Sequence, residues 1–223
     1  MDRNQYTNLS KAWEFVEEHA LARQTPAMAQ IREATQKAGM PQGSAAQAEA
    51  LSMLVHLTGA KSVIAVGTGS VMETLELVRG LDGEGQLTAV DSSAKGIAVI
   101  RKAFDVVQDS TATKLRAVNA QAGVFLPRLN AGDYDMIVVA GDAVNYGASF
   151  AQASRLLRGH GIIVFTDVLA LEGAGDRGGL LDPADRGDKA VAMRDLLDIV
   201  ESDERFRTTL TPTGTGLLIA VKR

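Results

Sequence analysis

Gly67-Thr68-Gly69-Ser70 follows the β-branched run Ser62 to Val66 and leads into an apolar segment beginning near Met72. Glycines at the end of a strand let the backbone approach a ligand, and a helix opening there offers unpaired amide N–H groups. Such turns also occur where no ligand binds. The next apolar run ends in Asp91, twenty-four positions after Gly67. An acid at that place can accept hydrogen bonds from both hydroxyls of a ribose. Its other reading is a cap on the next helix, beside Ser92 and Ser93. Together the turn and the spaced acid point to a ligand that contains a nucleoside. Two further carboxylates, Asp142 and Asp167, stand just beyond later apolar runs and are the candidates for a general base. Against that, Asp142 also suits a helix cap and Asp167 a hydrogen-bonded loop acid. His19, His56 and His160 fall on predicted helices or in a turn, away from these places.

Several chemistries drop out at once. The dinucleotide fingerprint G-x-G-x-x-G has Met72 at its third glycine, and no G-x-x-x-x-G-K-[ST] is present. That disfavours an NAD-linked oxidoreductase and excludes a P-loop. The chain has no cysteine, so it has neither a disulfide nor a thiolate site. Its 23 Lys and Arg against 27 Asp and Glu give a net charge of −4, which argues against sequence-independent nucleic-acid binding. No run nears the roughly 20 apolar residues of a membrane span, and Met-Asp-Arg-Asn-Gln-Tyr at the start lacks an apolar leader core. The expectation is a cytoplasmic protein with no membrane partner.

These residues must be positioned by a sheet. Runs at 62–66, 86–90, 114–118, 135–139 and 161–165 are continuously apolar, as strands buried on both faces are. Helical stretches separate them, which predicts a parallel sheet with helices on both faces. Arg205 to Thr211 and Gly216 to Lys222, joined by Pro212-Thr213-Gly214, predict a terminal hairpin. The fold class is therefore α/β, a Rossmann-like seven-stranded sheet, mostly parallel, with one reversed terminal strand. Upstream, Leu9, Trp13, Val16 and Ala20 form a helical stripe that Ser10 could cap, with Trp13 and Met28 read as packing residues. A second helix follows Pro26, and a third runs from about Ser44 to Gly59. The expected organisation is one domain, 1–223, with a helical extension over 1–39 and a ligand-binding core over 40–223. The segment from Ala170 to Asp188, with Asp176, Asp182 and Asp185, lacks periodicity and EF-hand spacing and predicts a loop placed where a substrate lid would sit.

Five parallel strands closed by a reversed hairpin are what class I S-adenosylmethionine-dependent methyltransferases use. From about residue 40 onward the chain resembles their catechol/caffeoyl-CoA O-methyltransferase family. Gly67 to Asp91 carries the resemblance, as does Leu126-Pro127-Arg128-Leu129. Tyr134-Asp135-Met136-Ile137 through Asn145-Tyr146 is similar to the signature FDxIFIDADKxNY. Ser202 to Phe206 is similar to DPRF, and Gly214-Thr215-Gly216-Leu217 to GDGL. The resemblance implies S-adenosylmethionine as cofactor. It places Gly43, Gly67 and Gly69 near the methionine part, Asp91 and Ser92 at the ribose, and Gln121 and Ala122 around the adenine. Ala65 replaces an acid the family carries two residues before the first glycine.

The family also binds a divalent cation through two Asp and one Asn, with a nearby Lys. Here Ala140 stands at the first Asp, Ala143 at the Lys, and Thr166 and Asp167 at the later pair. Mg²⁺ wants near-octahedral oxygen coordination, so the resemblance implies no metal site. It implies metal-independent O-methylation of a small-molecule acceptor. The same losses also suit a non-catalytic protein that keeps the cofactor for a sensory or structural role. A homodimer is the assembly the family suggests.

Overall fold

The structure is a computed structural model describing residues 3–40, 42–67, 71–171 and 178–223. The chain opens with helices α1 (Arg3–Ala22), α2 (Pro26–Lys37) and α3 (Ala45–Thr58). Next come β1 (Ser62–Val66), α4 (Val71–Gly80), β2 (Gln86–Asp91), α5 (Ala94–Val107), β3 (Lys114–Asn119) and the short α6 (Ala122–Phe125). The chain continues through β4 (Tyr134–Val139), α7 (Val144–Leu156), β5 (Leu157–Phe165) and α8 (Asp188–Ser202), and ends in β6 (Phe206–Thr211) and β7 (Leu217–Lys222).

All seven strands join one sheet in the order β3-β2-β1-β4-β5-β7-β6. The first five run parallel, and β7 lies antiparallel between β5 and β6. The reversed strand is thus last in the chain but second from the edge of the sheet. Alternation of side chains divides the core into two layers. Ile64, Val66, Ile137, Val139, Ile163 and Phe165 face α6, α7 and α8, while Val63, Ala65, Met136, Val138, Ile162 and Val164 face α3, α4 and α5. Both sets are buried, which is why the sequence shows unbroken apolar runs instead of alternation.

Strand β5 departs from expectation at its start. Pairing with β4 jumps from Tyr134↔Leu157 to Met136↔Ile162, leaving extra residues on β5. That bulge holds His160 at φ +63, inside an element the sequence begins at Gly161.

Helix α1 is tied to the start of α3 by polar contacts. The Glu17 carboxylate accepts the Ala45 and Ala46 amides at 2.6 and 3.2 Å and the Ser44 hydroxyl at 2.6 Å. Ser44 in turn caps Gln47 N at 3.1 Å. One acid on α1 therefore closes the positive end of α3. Met28 on α2 enters the core, as expected of a packing residue. Ser10 does not cap α1, because the helix already begins at Arg3. Nor is the α1 stripe a buried one: Ala20 is covered, but Leu9, Trp13 and Val16 remain exposed.

One buried acid opposes this packing. Glu76 on α4 is almost fully covered, with Arg79 Nε at 3.1 Å. Burial pushes its carboxyl above the usual glutamate range; Glu49 adds to the rise, and Arg79 opposes it. The folded chain thus holds this proton more tightly than the unfolded chain. Ionised Glu76 therefore costs stability, and the cost grows as pH rises above about 4.3. Glu76→Gln is expected to raise the thermal unfolding midpoint near neutral pH, by about 2–4 °C for each kcal/mol relieved. The gain should shrink as the pH is lowered into the glutamate range.

Candidate active site

The strand order reverses direction between β1 and β4, and in open α/β sheets ligands bind at the carboxyl ends of strands at that point. There the backbones touch. Gly67 has φ +80, its N–H donates to Val90 O at 2.8 Å, and Ala140 N donates to Val66 O at 2.8 Å. A Cβ on Gly67 would lie 2.2 Å from Ala140 O. The protein's own backbone therefore demands glycine at this position. Asn145 Nδ2 donates to the same Ala140 oxygen at 3.1 Å, which fixes the start of α7 against the crevice.

Asp91 ends β2 beside this crevice. Its Oδ1 accepts Ser93 N at 2.8 Å, and its carbonyl accepts Asn119 Nδ2 and Ala120 N, both at 2.9 Å. The cap of α5 is Ser93, whose Oγ accepts Gly96 N at 3.0 Å. The helix-cap role thus falls to Ser93 and leaves Asp91 at the strand end. Ser92 is exposed beside it, with its carbonyl accepting Asn119 Nδ2 at 3.0 Å. Because Ala120 is bonded to Asp91, the exposed Gln121 and buried Ala122 that open α6 follow directly alongside.

On the other side of the crevice, the loop before α3 closes over α4. Gln42 Oε1 accepts Met72 N at 3.1 Å, satisfying one amide in the first turn of α4. Arg32 donates to Gly43 O at 3.1 Å, and a Cβ on Gly43 would stand 3.9 Å from Glu73 Oε1. From Glu73 a buried polar chain runs across the molecule. Gln47, fully buried, donates to Glu73 Oε1 at 2.6 Å and accepts Thr215 N at 3.1 Å. The Thr215 hydroxyl then donates to Asp167 Oδ1. Asp167, half-buried past the end of β5, is held at φ +55.

A cavity of about 910 Å³ opens from Thr215 and Gly43 outward, with Leu9, Trp13 and Val16 of α1 along one wall. Trp13 thus borders a cavity and is not buried in the core.

The family model described as O-methyltransferase matches residues 17–223. This chain belongs to the O-methyltransferase family. A protein of Mycobacterium ulcerans provisionally assigned as an O-methyltransferase is 34% identical over 172 residues, 77% of this chain and 74% of that one. Among solved structures, cofactor-bound Rv0187 from MTB superposes with a TM-score of 0.76 at 27% identity, covering 90% of this chain and 91% of its own. The Bacillus cereus O-methyltransferase in complex with SAH has the same fold, with a TM-score of 0.78 at 19% identity over 96% of this chain and 99% of its own.

Within this O-methyltransferase the structure gathers Gly43, Gly67, Asp91, Ser92, Gln121 and Ala122 around one end of the sheet. Gly69, with Thr68 and Ser70, lies outside the described residues, as does Asp176. The two acids expected as bases differ. Asp142 is exposed, and its carbonyl accepts Asn145 N at 2.9 Å, while Asp167 is half-buried and oriented by Thr215. The Thr166 hydroxyl is buried and donates to Val139 O at 3.3 Å. Among the described residues, no three His, Asp or Glu side chains gather closely enough to hold a metal ion.

Sequence reasoning missed Lys189. Its Nζ donates to Gly141 O at 2.8 Å and to the Tyr146 hydroxyl at 2.6 Å, and that hydroxyl donates to Thr166 O at 2.9 Å. Burial pulls the Lys189 ammonium below the usual lysine range, while Asp167 and Asp142 pull the other way. Burial first, then Asp167, Glu73 and Asp142, push the Tyr146 phenol well above its usual range, so it stays neutral. One signal was present in the chain: Lys189 sits in the first turn of a helix, where the macrodipole disfavours a cation.

Two substitutions separate ligand contact from local structure. Asp91→Ala should weaken binding of S-adenosylhomocysteine about tenfold or more in a calorimetric titration. Ser93→Ala should cost about 1 kcal/mol of stability through the lost cap, with affinity little changed. Gly67→Ala should lower the unfolding midpoint and abolish that binding, because its Cβ meets backbone.

Proposed function

We propose that the protein transfers a methyl group from S-adenosylmethionine to an oxygen of a small molecule, without a divalent metal. The observation that carries this reading is the pairing of Asp91 with the Gly67 turn at the β1–β4 reversal, in a chain of the O-methyltransferase family. The residues fit the cofactor. A carboxylate ends β2 where a ribose would lie, the small Ala122 leaves room for a flat base, and three acids (Glu73, Asp142 and Asp167) give the crevice the negative field that suits a cationic ligand. The SAH-bound and cofactor-bound relatives support the same choice. When bound, this cofactor supplies a methyl group on a positively charged sulfur, open to attack from the far side.

The chain's own residues do the rest. Gly67, Gly43 and Asp91 hold the donor against the sheet end. The cavity under α1 admits the acceptor toward its Thr215 end, where Thr215 meets Asp167; alignment of the two reactants then supplies much of the acceleration. Asp167 is our choice of base over Asp142, because Thr215 orients it and burial shields it. A divalent cation does not fit: Ala140 offers no donor and the Thr166 hydroxyl points into the strand.

The exposed apolar residues Phe15 and Val16 on α1 and Met53 on α3 support a homodimer through that face. No helix among the described residues is long and apolar enough to cross a membrane, and we take the cytoplasm as the compartment.

Chelator-treated protein is expected to bind S-adenosylhomocysteine with micromolar affinity in calorimetry and to bind NAD not at all. With labelled S-adenosylmethionine it should methylate a member of a phenol panel in the presence of the chelator. Absence of S-adenosylhomocysteine binding at millimolar concentration would overturn the reading. Binding without transfer to any hydroxylated acceptor would favour a non-catalytic role.

A further inference from the structure

Lys189 is half-buried and tied down at its Nζ, unlike a surface lysine. It comes from the first turn of α8, on the far side of the loop after β5, and reaches back to the carboxyl ends of β4 and β5. Two of its three N–H bonds are used, at Gly141 O and the Tyr146 hydroxyl. Its Nζ also lies 4.0 Å from the centre of the Tyr146 ring, which steadies the cation from below. Tyr146 is itself immobilised by its bond to Thr166 O and by stacking on Phe165. An ammonium so held keeps one donor for a further partner. The charged and titratable groups facing it are Asp167 beyond β5, Asp142 at the start of α7 and the neutral Tyr146 phenol. No other lysine or arginine among the described residues makes a contact at these strand ends. Gly141, the anchor of the ammonium, lies against Gly67, so the cation is fixed to the immediate neighbour of the turn assigned above to the methyl donor.

We propose that the Lys189 ammonium does the work of a site cation: its remaining N–H binds the acceptor oxygen and stabilises the negative charge that forms there. The inference rests on the methyl-transfer reading and deepens it by naming the acceptor class. A metal ion can grip two neighbouring oxygens at once, whereas a single N–H grips one. The acceptor is therefore a molecule with one acidic hydroxyl, phenolic or enolic, that needs no second oxygen beside it. In the step, the acceptor O–H bond breaks and its proton passes to the Asp167 carboxylate. The oxygen's electron pair forms the new O–CH₃ bond as the S–CH₃ bond breaks, its electron pair returning to sulfur. Lys189 remains protonated throughout. Thr215 is a positioning residue, acting through Asp167.

The test uses 4-nitrophenol, whose anion absorbs in the visible, added to the full chain saturated with S-adenosylhomocysteine at a pH just below the probe's own pKa. Wild type is expected to bind the probe as its anion and give the visible band. Lys189→Met should lose the band, and Lys189→Arg should keep part of it. Each variant should bind S-adenosylhomocysteine within about twofold of wild type and unfold cooperatively, since the site cation, not the fold, is removed. 4-Nitrocatechol should behave like 4-nitrophenol, with no gain on adding Mg²⁺. For any phenol that turns over, Lys189→Met should lower kcat about 10²–10³-fold, as loss of one oxyanion donor does.

Failure of S-adenosylhomocysteine to bind wild type sinks the methyltransferase reading itself. Binding of S-adenosylhomocysteine with no anion band in wild type, or with an equal band in Lys189→Met, overturns the role of Lys189 alone. So does a band that needs Mg²⁺ and a vicinal hydroxyl. If Lys189→Met does not fold, Lys189→Arg decides: loss of the band with retained folding counts against a cation that acts by charge.

Discussion

The contact between Gly67 and Ala140 is the constraint on which the site depends. At the place where strand order reverses, the chain leaving β1 must pass within bonding distance of the chain leaving β4, and only a residue without Cβ can do so at φ +80. The same contact brings Ala140 and Gly141 to the crevice, lets Asn145 seal the start of α7, and sets Gly141 O where Lys189 can reach it. The sides proposed for cofactor and acceptor are thus two ends of one backbone junction. A shift of one would be felt at once by the other, because protein interiors transmit strain and do not absorb it.

A second link runs through buried side chains. Glu73, Gln47, Thr215 and Asp167 join α4 to α3, α3 to the terminal hairpin, and the hairpin to the loop after β5. Burying three polar groups and half-burying a fourth is costly unless each finds a partner, and a half-satisfied network would be worse than an apolar one. Its fixed geometry is the return. Gly214, at φ +61, packs so tightly on Gln47 that a Cβ there would lie 2.6 Å from Gln47 Oε1. The last hairpin of the chain is thereby held in register with a helix that precedes the first strand. With β7 paired antiparallel to β5, the turn that precedes β7 sets Thr215 beside Asp167.

How much of this the sequence discloses depends on whether a residue's role is written in periodicity. Strands buried on both faces, such as β1, produce unbroken apolar runs; the largely exposed edge strands β3 and β6 are legible instead by their place in the order of elements and by the turn of the terminal hairpin. The start of β5 is not legible, because the bulge at His160 is set by pairing with β4. Gly59 and Ser44 mark the ends of α3 by local chemistry and are legible for that reason. Ser10 misleads because a favourable cap residue can equally sit inside a helix that began earlier. Trp13 misleads because a helical stripe says which residues share a face, not whether that face is covered. Asp91 and Asp167 are visible as acids following strands, whereas choosing Asp167 over Asp142 needs Thr215, which lies forty-eight residues away in the chain. Lys189 is the hardest. A lone lysine at the head of an amphipathic helix has no spacing that marks it, and its environment is assembled from β4, α7 and the loop after β5.

Exchanging a bound ion for a side chain alters what the site can select. A divalent ion brings two charges but must itself be captured by carboxylates, whose own negative charge it partly cancels. An ammonium brings one charge, arrives with the fold, and is held by hydrogen bonds to the neutral carbonyl of Gly141 and the neutral phenol of Tyr146. Partial burial strengthens that single charge, since the same ion pair gains several-fold when water is kept away. Burial also makes the ammonium expensive, and Asp167 and Asp142 offset that cost. On the proposed reading, the residues at Ala140 and Thr166 and the presence of Lys189 are then two sides of one arrangement. The acid that helps hold the ammonium charged, Asp167, is also the one that Thr215 orients, and it is the acid proposed to take the proton.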